Sequence, residues 1–432
     1  MVRLRQRCST TALIGAPASS QCGERQIRFT RGTHPGRLWL AMNQLRTVDL
    51  SEIMAQAASA LSGASGHAVK IDEMQRLSND DRRNFVGRAR AIDDRGRVRS
   101  ILVKATRSQN YDPAAENALA SGLVREWVAS AYLAARAPGR GHGAALLAGD
   151  VSRGLLIFED LATDLSSLVD PLLKGTAEEA ERALSLYAAA LGRLHADTTD
   201  CLASHHDTFQ SIFGAGRPLR PSGRRVEKEA DVVVGRLGGA PPASELELLS
   251  ARLRDPGPWQ CLVHGDPCPD NALIVDGSIR LIDYEHAHPS HALLDGIYWQ
   301  IGFPTCWCAG RVSPDVASRI AAVYRAEIAE AMPLARDDAA YRPEIAYAAA
   351  SWLFACLSWL LEQALKEDSN WGIWSIRGRL LWYLQAVIDM TASAGVLPGI
   401  NATAQGWLSE LQRRWPESLP LGLYPAFAAN SR

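Results

Sequence analysis

From Ala68 onward the chain reads as short apolar runs separated by polar turns. Residues 68–77, 84–92 and 100–106 are strand-length segments, set apart by Ser78-Asn79-Asp80-Asp81-Arg82-Arg83 and by Asp93-Asp94-Arg95-Gly96. The period then changes. Residues 113–136 are alanine-rich, with apolar positions at Leu119, Leu123, Trp127, Ala131 and Leu133, and this spacing predicts a helix. Residues 139–143, with three glycines, follow that helix and read as a connecting loop. Leu146-Leu147 and residues 154–161 predict two further strands. Three strands, one helix and two strands describe a small antiparallel-sheet lobe that ends near residue 160.

The remainder is mainly helical in pattern. Residues 177–195 place Ala180, Leu184, Tyr187, Leu191 and Leu194 on one stripe. Residues 213–243 are rich in Gly, Pro and Arg and read as a loop-rich insert. Short strands around a turn are expected at 259–264, 272–275 and 279–283. Helices are expected at 312–332, 342–366 and 372–394, followed by a Pro-punctuated tail. The 17 uncharged residues between Glu344 and Glu362 include Ser351, Ser358 and Tyr347, which points to a buried core helix and not a membrane span. The expected class is therefore α+β. A β-rich lobe with one helix occupies 42–160, and a larger helical lobe occupies 161–432.

Composition narrows the function classes. At 432 residues, with 47% apolar and 22% charged residues, the chain is long enough for two lobes and a large core. A net charge of −1 gives no bulk attraction for nucleic acid. The basic residues are 41 Arg and five Lys, so any chemistry that needs a lysine has five candidates: Lys70, Lys104, Lys174, Lys228 and Lys366. Residues 1–41 hold seven Arg against one acid, Glu24, and show no apolar periodicity. They form a basic arm, or else the start is placed upstream of a true first residue at Met42, the reading we favour. Without them residues 42–432 carry −7, which leans toward a cationic acceptor. Eight scattered cysteines fit reduced thiols in the cytoplasm, and Cys306-Trp307-Cys308 lacks the second pair of a zinc site. In His286-Ala-His288-Pro-Ser-His291, Pro289 breaks any helix that would align the rings, so a loop is expected.

The informative window is 261–285, C-L-V-H-G-D-P-C-P-D-N-A-L-I-V-D-G-S-I-R-L-I-D-Y-E. Asp266 and Asn271 stand five apart, the separation of the base Asp and the metal-binding Asn in a kinase catalytic loop. Asp283 follows twelve residues after Asn271 at a strand end. Phosphoryl transfer needs hard oxygen ligands for Mg²⁺ and a carboxylate at the attacking hydroxyl. Asn271 and Asp283 are the candidate ligands and Asp266 the candidate base.

H264-G-D-P-C-P-D-N271 and I282-D-Y-E285 together resemble the aminoglycoside phosphotransferase and choline kinase-like family, whose motifs are H-G-D-x-x-P-x-N and I-D-x-E. The resemblance covers about residues 65–395. It implies a protein kinase-like bilobal fold, ATP and Mg²⁺ as cofactors, and a small-molecule hydroxyl acceptor, such as an aminoglycoside or other antibiotic, choline, an amino alcohol or a sugar. Lys104 would meet phosphate oxygens, with Glu126 holding it, although Glu116 is an alternative partner. Backbone around Glu159 and Leu161 would meet adenine. Asp266 would be catalytic, and Asn271 and Asp283 would hold the metal. Protein kinase activity is disfavoured, since no D-F-G glycine and no A-P-E segment follow Asp283. The family's first turn, G-G-x-x-N, is here S78-N-D-D-R-R-N84, which leaves GTP open as a donor. It also motivates a second class of function, a catalytically silent nucleotide- or ligand-binding protein of the same fold.

Overall fold

The computed structural model describes residues 45–79, 82–109, 111–113, 118–161, 165–214 and 226–428. The two readings of residues 1–41 and the alternative partner Glu116 lie outside them. Helix α1, Leu50–Ser65, opens the described chain. Asp49 caps it by accepting the backbone N–H of Ser51 and Glu52, and Gly66 closes it in the left-handed conformation. Five strands follow: β1 Val69–Arg76, β2 Asn84–Asp93, β3 Val98–Thr106, β4 Leu146–Asp150 and β5 Leu155–Glu159. They form one antiparallel sheet in the order β1-β2-β3-β5-β4. Helix α2, Ala118–Arg136, lies between β3 and β4 in the chain.

The small lobe therefore carries two helices where one was expected. Ile53, Ala57 and Leu61 recur every fourth residue and pack on Ile71, Phe85, Ala89, Ile101, Val103 and Ile157. Burying each large side chain of this set contributes roughly 1.5–3 kcal/mol. The other sheet face turns to α2, where Leu123 and Trp127 meet Leu156 and Phe158. Side chains alternate across a strand, so Val103 and Ala105 face α1 while Leu102 and Lys104 face α2. This alternation turns Lys104 toward Glu126.

The larger lobe is helical: α3 Val169–Lys174, α4 Ala177–Asp197, α5 Leu202–Phe213, α6 Val226–Leu237, α7 Ala243–Arg254, α8 Leu293–Gly296, α9 Pro314–Ile328, α10 Asp338–Lys366, α11 Ile376–Ala394, α12 Pro398–Arg414 and α13 Pro425–Ala428. All but α5 share one core, whereas Phe209 and Phe213 of α5 pack with Val124 and Val128 of α2. The expected loop-rich insert contains α6 and the start of α7, and the tail is largely α12. Short strands β6 Gln260–Val263, β7 Ala272–Val275, β8 Ser278–Leu281 and β9 His288–His291 frame the informative window. β9 pairs with β6, so the expected histidine loop is a strand. The expected α+β class, a small antiparallel sheet lobe and a mainly helical one, is what the chain adopts.

Among the described residues, α10 is long and apolar enough to cross a membrane, and 72% of its apolar window is buried against its neighbours. Trp352, Leu353, Phe354, Leu357, Leu360 and Leu361 all lie within the core.

The cap on α1 is directly testable. Asp49→Ala removes the acceptor for two N–H groups, and the expected loss is about 1 kcal/mol of local helix stability. Amide hydrogen exchange at Ile53, Ala57 and Leu61 should then quicken about fivefold relative to the wild type.

Candidate active site

Lys104 is the centre of the site. Its Nζ donates to Glu126 of α2 and, at 2.5 Å, to Asp283 Oδ1 beyond β8. Glu126 is thus a partner of Lys104, while Glu116 lies outside the described residues. Burial opposes the lysine's charge, but Asp283 and Glu126 outweigh it and hold the pKa above the ordinary lysine value. Burial alone would raise the pKa of Asp283, yet Lys104 beside it brings that carboxyl down to about 2. Glu126, nearly inaccessible, moves up through burial, which Lys104 only partly offsets.

The β7–β8 hairpin brings Asn271 and Asp283 to the same end, since Ala272 pairs with Leu281 and Ile282 N–H donates to Asn271 O at 2.9 Å. Asp283 adopts the left-handed conformation, φ 67°, as does no other member of the motif with a side chain. Asn271 Nδ2 donates to the Asp266 carbonyl at 3.0 Å, which leaves its Oδ1 without a partner among the described residues. An amide oxygen and a half-buried carboxylate on one hairpin end are hard donors of the kind Mg²⁺ takes alongside phosphate and water. Among the described residues no group of three or more His, Cys, Asp and Glu is set up to hold a metal by itself, and the three histidines at 286–291 form no such cluster.

The loop carrying Asp266 is held from below. Buried Asp295 in α8 accepts His264 N–H at 2.6 Å and Gly265 N–H at 3.3 Å. His264, also buried, turns Nε2 to Ile282 O at 2.9 Å and so ties the loop to the end of the β7–β8 hairpin. Gly265 has φ +78°, and a Cβ there would stand 2.4 Å from His286 O. Asp266 is left half-buried at the mouth. Tyr298 donates to its Oδ1 at 3.2 Å, Thr305 donates to the same oxygen, and Oδ2 has no partner among the described residues.

Glu159 and Leu161 lie where β5 leaves the sheet. The Glu159 N–H donates to Ala145 O and its Oε1 accepts Ala145 N–H at 2.8 Å. Between them, Asp160 takes Arg88 Nε at 2.7 Å and Ser100 Oγ at 2.5 Å, so this connection is anchored to β2 and β3. Leu161 closes the described part of that segment.

Several site residues have no local signature in the sequence. Arg83, on the glycine-poor first turn, pairs with Glu285, two residues beyond Asp283. Trp307 donates Nε1 to Asp270 Oδ2 at 2.9 Å, whereas Trp299 and Trp371 are core residues. Asp295 did leave a trace, a single acid inside the apolar run Ala292–Ile297. The expectation of eight reduced thiols is corrected as well. Cys268 and Cys306 are bonded, with Cα atoms 5.6 Å apart, while Cys201, Cys261, Cys308 and Cys356 are buried thiols outside any disulfide. Two segments distant in sequence meet at the Asp266 loop, and one-dimensional spacing cannot show that.

Three outcomes check this geometry. A carboxyl held below its unfolded value contributes stability above that value and loses it as the pH falls through the folded one. The stability gap between the wild type and Asp283→Asn should therefore be full above pH ~5 and close as pH falls from 3.8 toward about 2, read by urea unfolding at each pH. For the disulfide, a 38-residue separation corresponds to about 4 kcal/mol in chain-entropy terms, so Cys306→Ser should lower the melting temperature by several degrees. A non-reducing peptide map should show Cys268 and Cys306 in one cross-linked pair.

No curated protein matches the chain. Among solved structures, a choline kinase from Streptococcus pneumoniae shares 13% identity over 79% of this chain and 99% of its own, with a TM-score of 0.42. An amicoumacin kinase solved with AMP-PNP, Ca²⁺ and Ami shares 14% over 84% and 94%, TM-score 0.45. A choline kinase from Cryptosporidium parvum Iowa II shares 13% over 83% and 100%, TM-score 0.45. At such TM-scores these likenesses decide nothing about the acceptor. Residues 131–332, which contain the whole 261–285 window, match the model of the phosphotransferase enzyme family, the same family that the H-G-D-P-C-P-D-N string resembles.

Proposed function

We propose that the chain is an ATP- and Mg²⁺-dependent kinase that phosphorylates a hydroxyl of a small molecule. The observation that carries this reading is Lys104 joined to both Glu126 and Asp283, next to a loop that leaves one Asp266 oxygen unengaged. In this reading Lys104 meets phosphate oxygens and Glu126 fixes its direction. Asn271 Oδ1 and Asp283 would hold the metal, which would neutralise charge on the transferring phosphoryl group. Asp266 Oδ2 accepts the hydrogen of the acceptor hydroxyl and aims its lone pair in line. The backbone at Glu159 and Leu161 meets the base of the nucleotide. A complete set of five groups supports an active enzyme over the silent binding protein of the same fold.

The test is acceptor-dependent ADP release across aminoglycosides, choline, amino alcohols and sugars. With the responding acceptor, Asp266→Asn should lower kcat about 10²- to 10³-fold with little change in nucleotide KM. Unchanged turnover in that variant would sink the mechanism. ATP binding without transfer to any of these acceptors would favour the silent protein.

A further inference from the structure

The segment from Tyr298 to Cys308 is built more firmly than a connecting loop requires. Gly302 and Phe303 both adopt positive φ, +86° and +57°. Phe303 is a fully buried L-residue, and such a strained conformation persists only where surrounding contacts enforce it. Those contacts are present. Phe303 N–H donates to Tyr298 O at 2.8 Å, and Tyr383 in α11 donates to Pro304 O at 3.2 Å. The guanidinium of Arg379, fully buried in the same helix, donates to Cys306 O at 2.6 Å, Trp307 O at 3.1 Å and Trp371 O. A buried cation given over to carbonyls is an expensive way to shape a loop. The Cys268–Cys306 bond then ties the segment to the loop that carries Asp266.

What this construction delivers is a pair of hydroxyls on one carboxylate oxygen. Thr305 donates to Asp266 Oδ1, and Tyr298 reaches both Oδ1 at 3.2 Å and the Thr305 hydroxyl. Each hydroxyl has one proton, so Thr305 gives its own to Oδ1 while Tyr298 supports Thr305 or the carboxylate. The Cys268 sulfur stands 3.1 Å from the same oxygen but, bonded to Cys306, has no proton to give. Every contact falls on Oδ1. A carboxylate gripped by one oxygen cannot turn about its Cβ–Cγ bond, and its other oxygen points at a fixed place.

We propose that Thr305, backed by Tyr298, is a positioning residue that locks the Asp266 carboxylate with Oδ2 toward the acceptor hydroxyl. The assignment rests on the kinase reading above and deepens it. Thr305 touches no reacting atom and acts through Asp266. The strained turn, the Arg379 carbonyl cluster and the disulfide serve to hold this one hydroxyl in place.

The experiment compares Thr305→Val, Thr305→Ser and Tyr298→Phe using the acceptor that the wild-type chain phosphorylates. Thr305→Val keeps shape and loses the hydroxyl. It should lower kcat about 10-fold or more, with nucleotide KM within twofold and the melting temperature unchanged. Thr305→Ser should restore most of the loss, and Tyr298→Phe should give a smaller decrease, about threefold. A wild-type kcat in Thr305→Val overturns the assignment while leaving the kinase reading intact. So does a fall that Ser fails to rescue, or one that tracks a lower melting temperature. If the wild-type chain phosphorylates none of the acceptors, the kinase reading fails and this assignment fails with it.

Discussion

A single buried ammonium organises the molecule. Lys104 is one of five lysines, sits on a strand whose neighbours are Val103 and Ala105, and is 11% exposed at its side chain. A charge there is tolerated because two carboxylates meet it, one from α2 and one from the end of the β7–β8 hairpin. The pairings therefore do more than stabilise a lysine. They fix α2 against the sheet and bring the Asp283 loop of the helical lobe up to the sheet lobe. Arg83 and Glu285 make a second tie between the same two regions. Removing Lys104 leaves two carboxylates facing each other with no cation between them, so the two lobes meet here by electrostatic necessity as much as by apolar packing.

Much of this was legible in the chain because it rests on local period and spacing. The five strands of the sheet and helices α2, α4, α9, α10 and α11 follow from apolar residues recurring every second or every third to fourth position. Asp266, Asn271 and Asp283 stand in one short window for a different reason: the β7–β8 hairpin folds Asp283 back beside Asn271, and Asp266 precedes Asn271 by only five residues. Helix α1 was overlooked although its Ile53, Ala57, Leu61 stripe and its Asp49 and Gly66 ends are all local signals. Helices α6 and α12 were hidden by the glycines and prolines around them, which mark the turns between elements and say little about what lies between.

The rest was out of reach for a physical reason. The Cys268–Cys306 bond, the Arg379 contacts and the Thr305 hydroxyl on Asp266 join segments that only the folded chain brings together. No window of sequence contains both partners. Threonine before a cysteine and a tyrosine seven residues earlier look like any other loop residues. Their importance lies in where Gly302 and Phe303 turn the backbone. Asp295 occupies the middle ground, visible as an acid among apolar neighbours but not interpretable until His264 and Gly265 are seen to donate to it.

The arginine bias of the chain also bears on how it can be handled. Lys70, Lys174, Lys228 and Lys366 are exposed, on β1, at the end of α3, on α6 and at the end of α10. Lys104 alone is enclosed, and its carboxylate partners keep it protonated, whereas an amine must lose its proton before it can attack an acylating reagent. Amine-selective labels and supports will therefore find few side chains, all on the outside, and pass over the one in the cleft. A chain immobilised or tagged through lysine keeps Lys104 and its two carboxylate partners untouched.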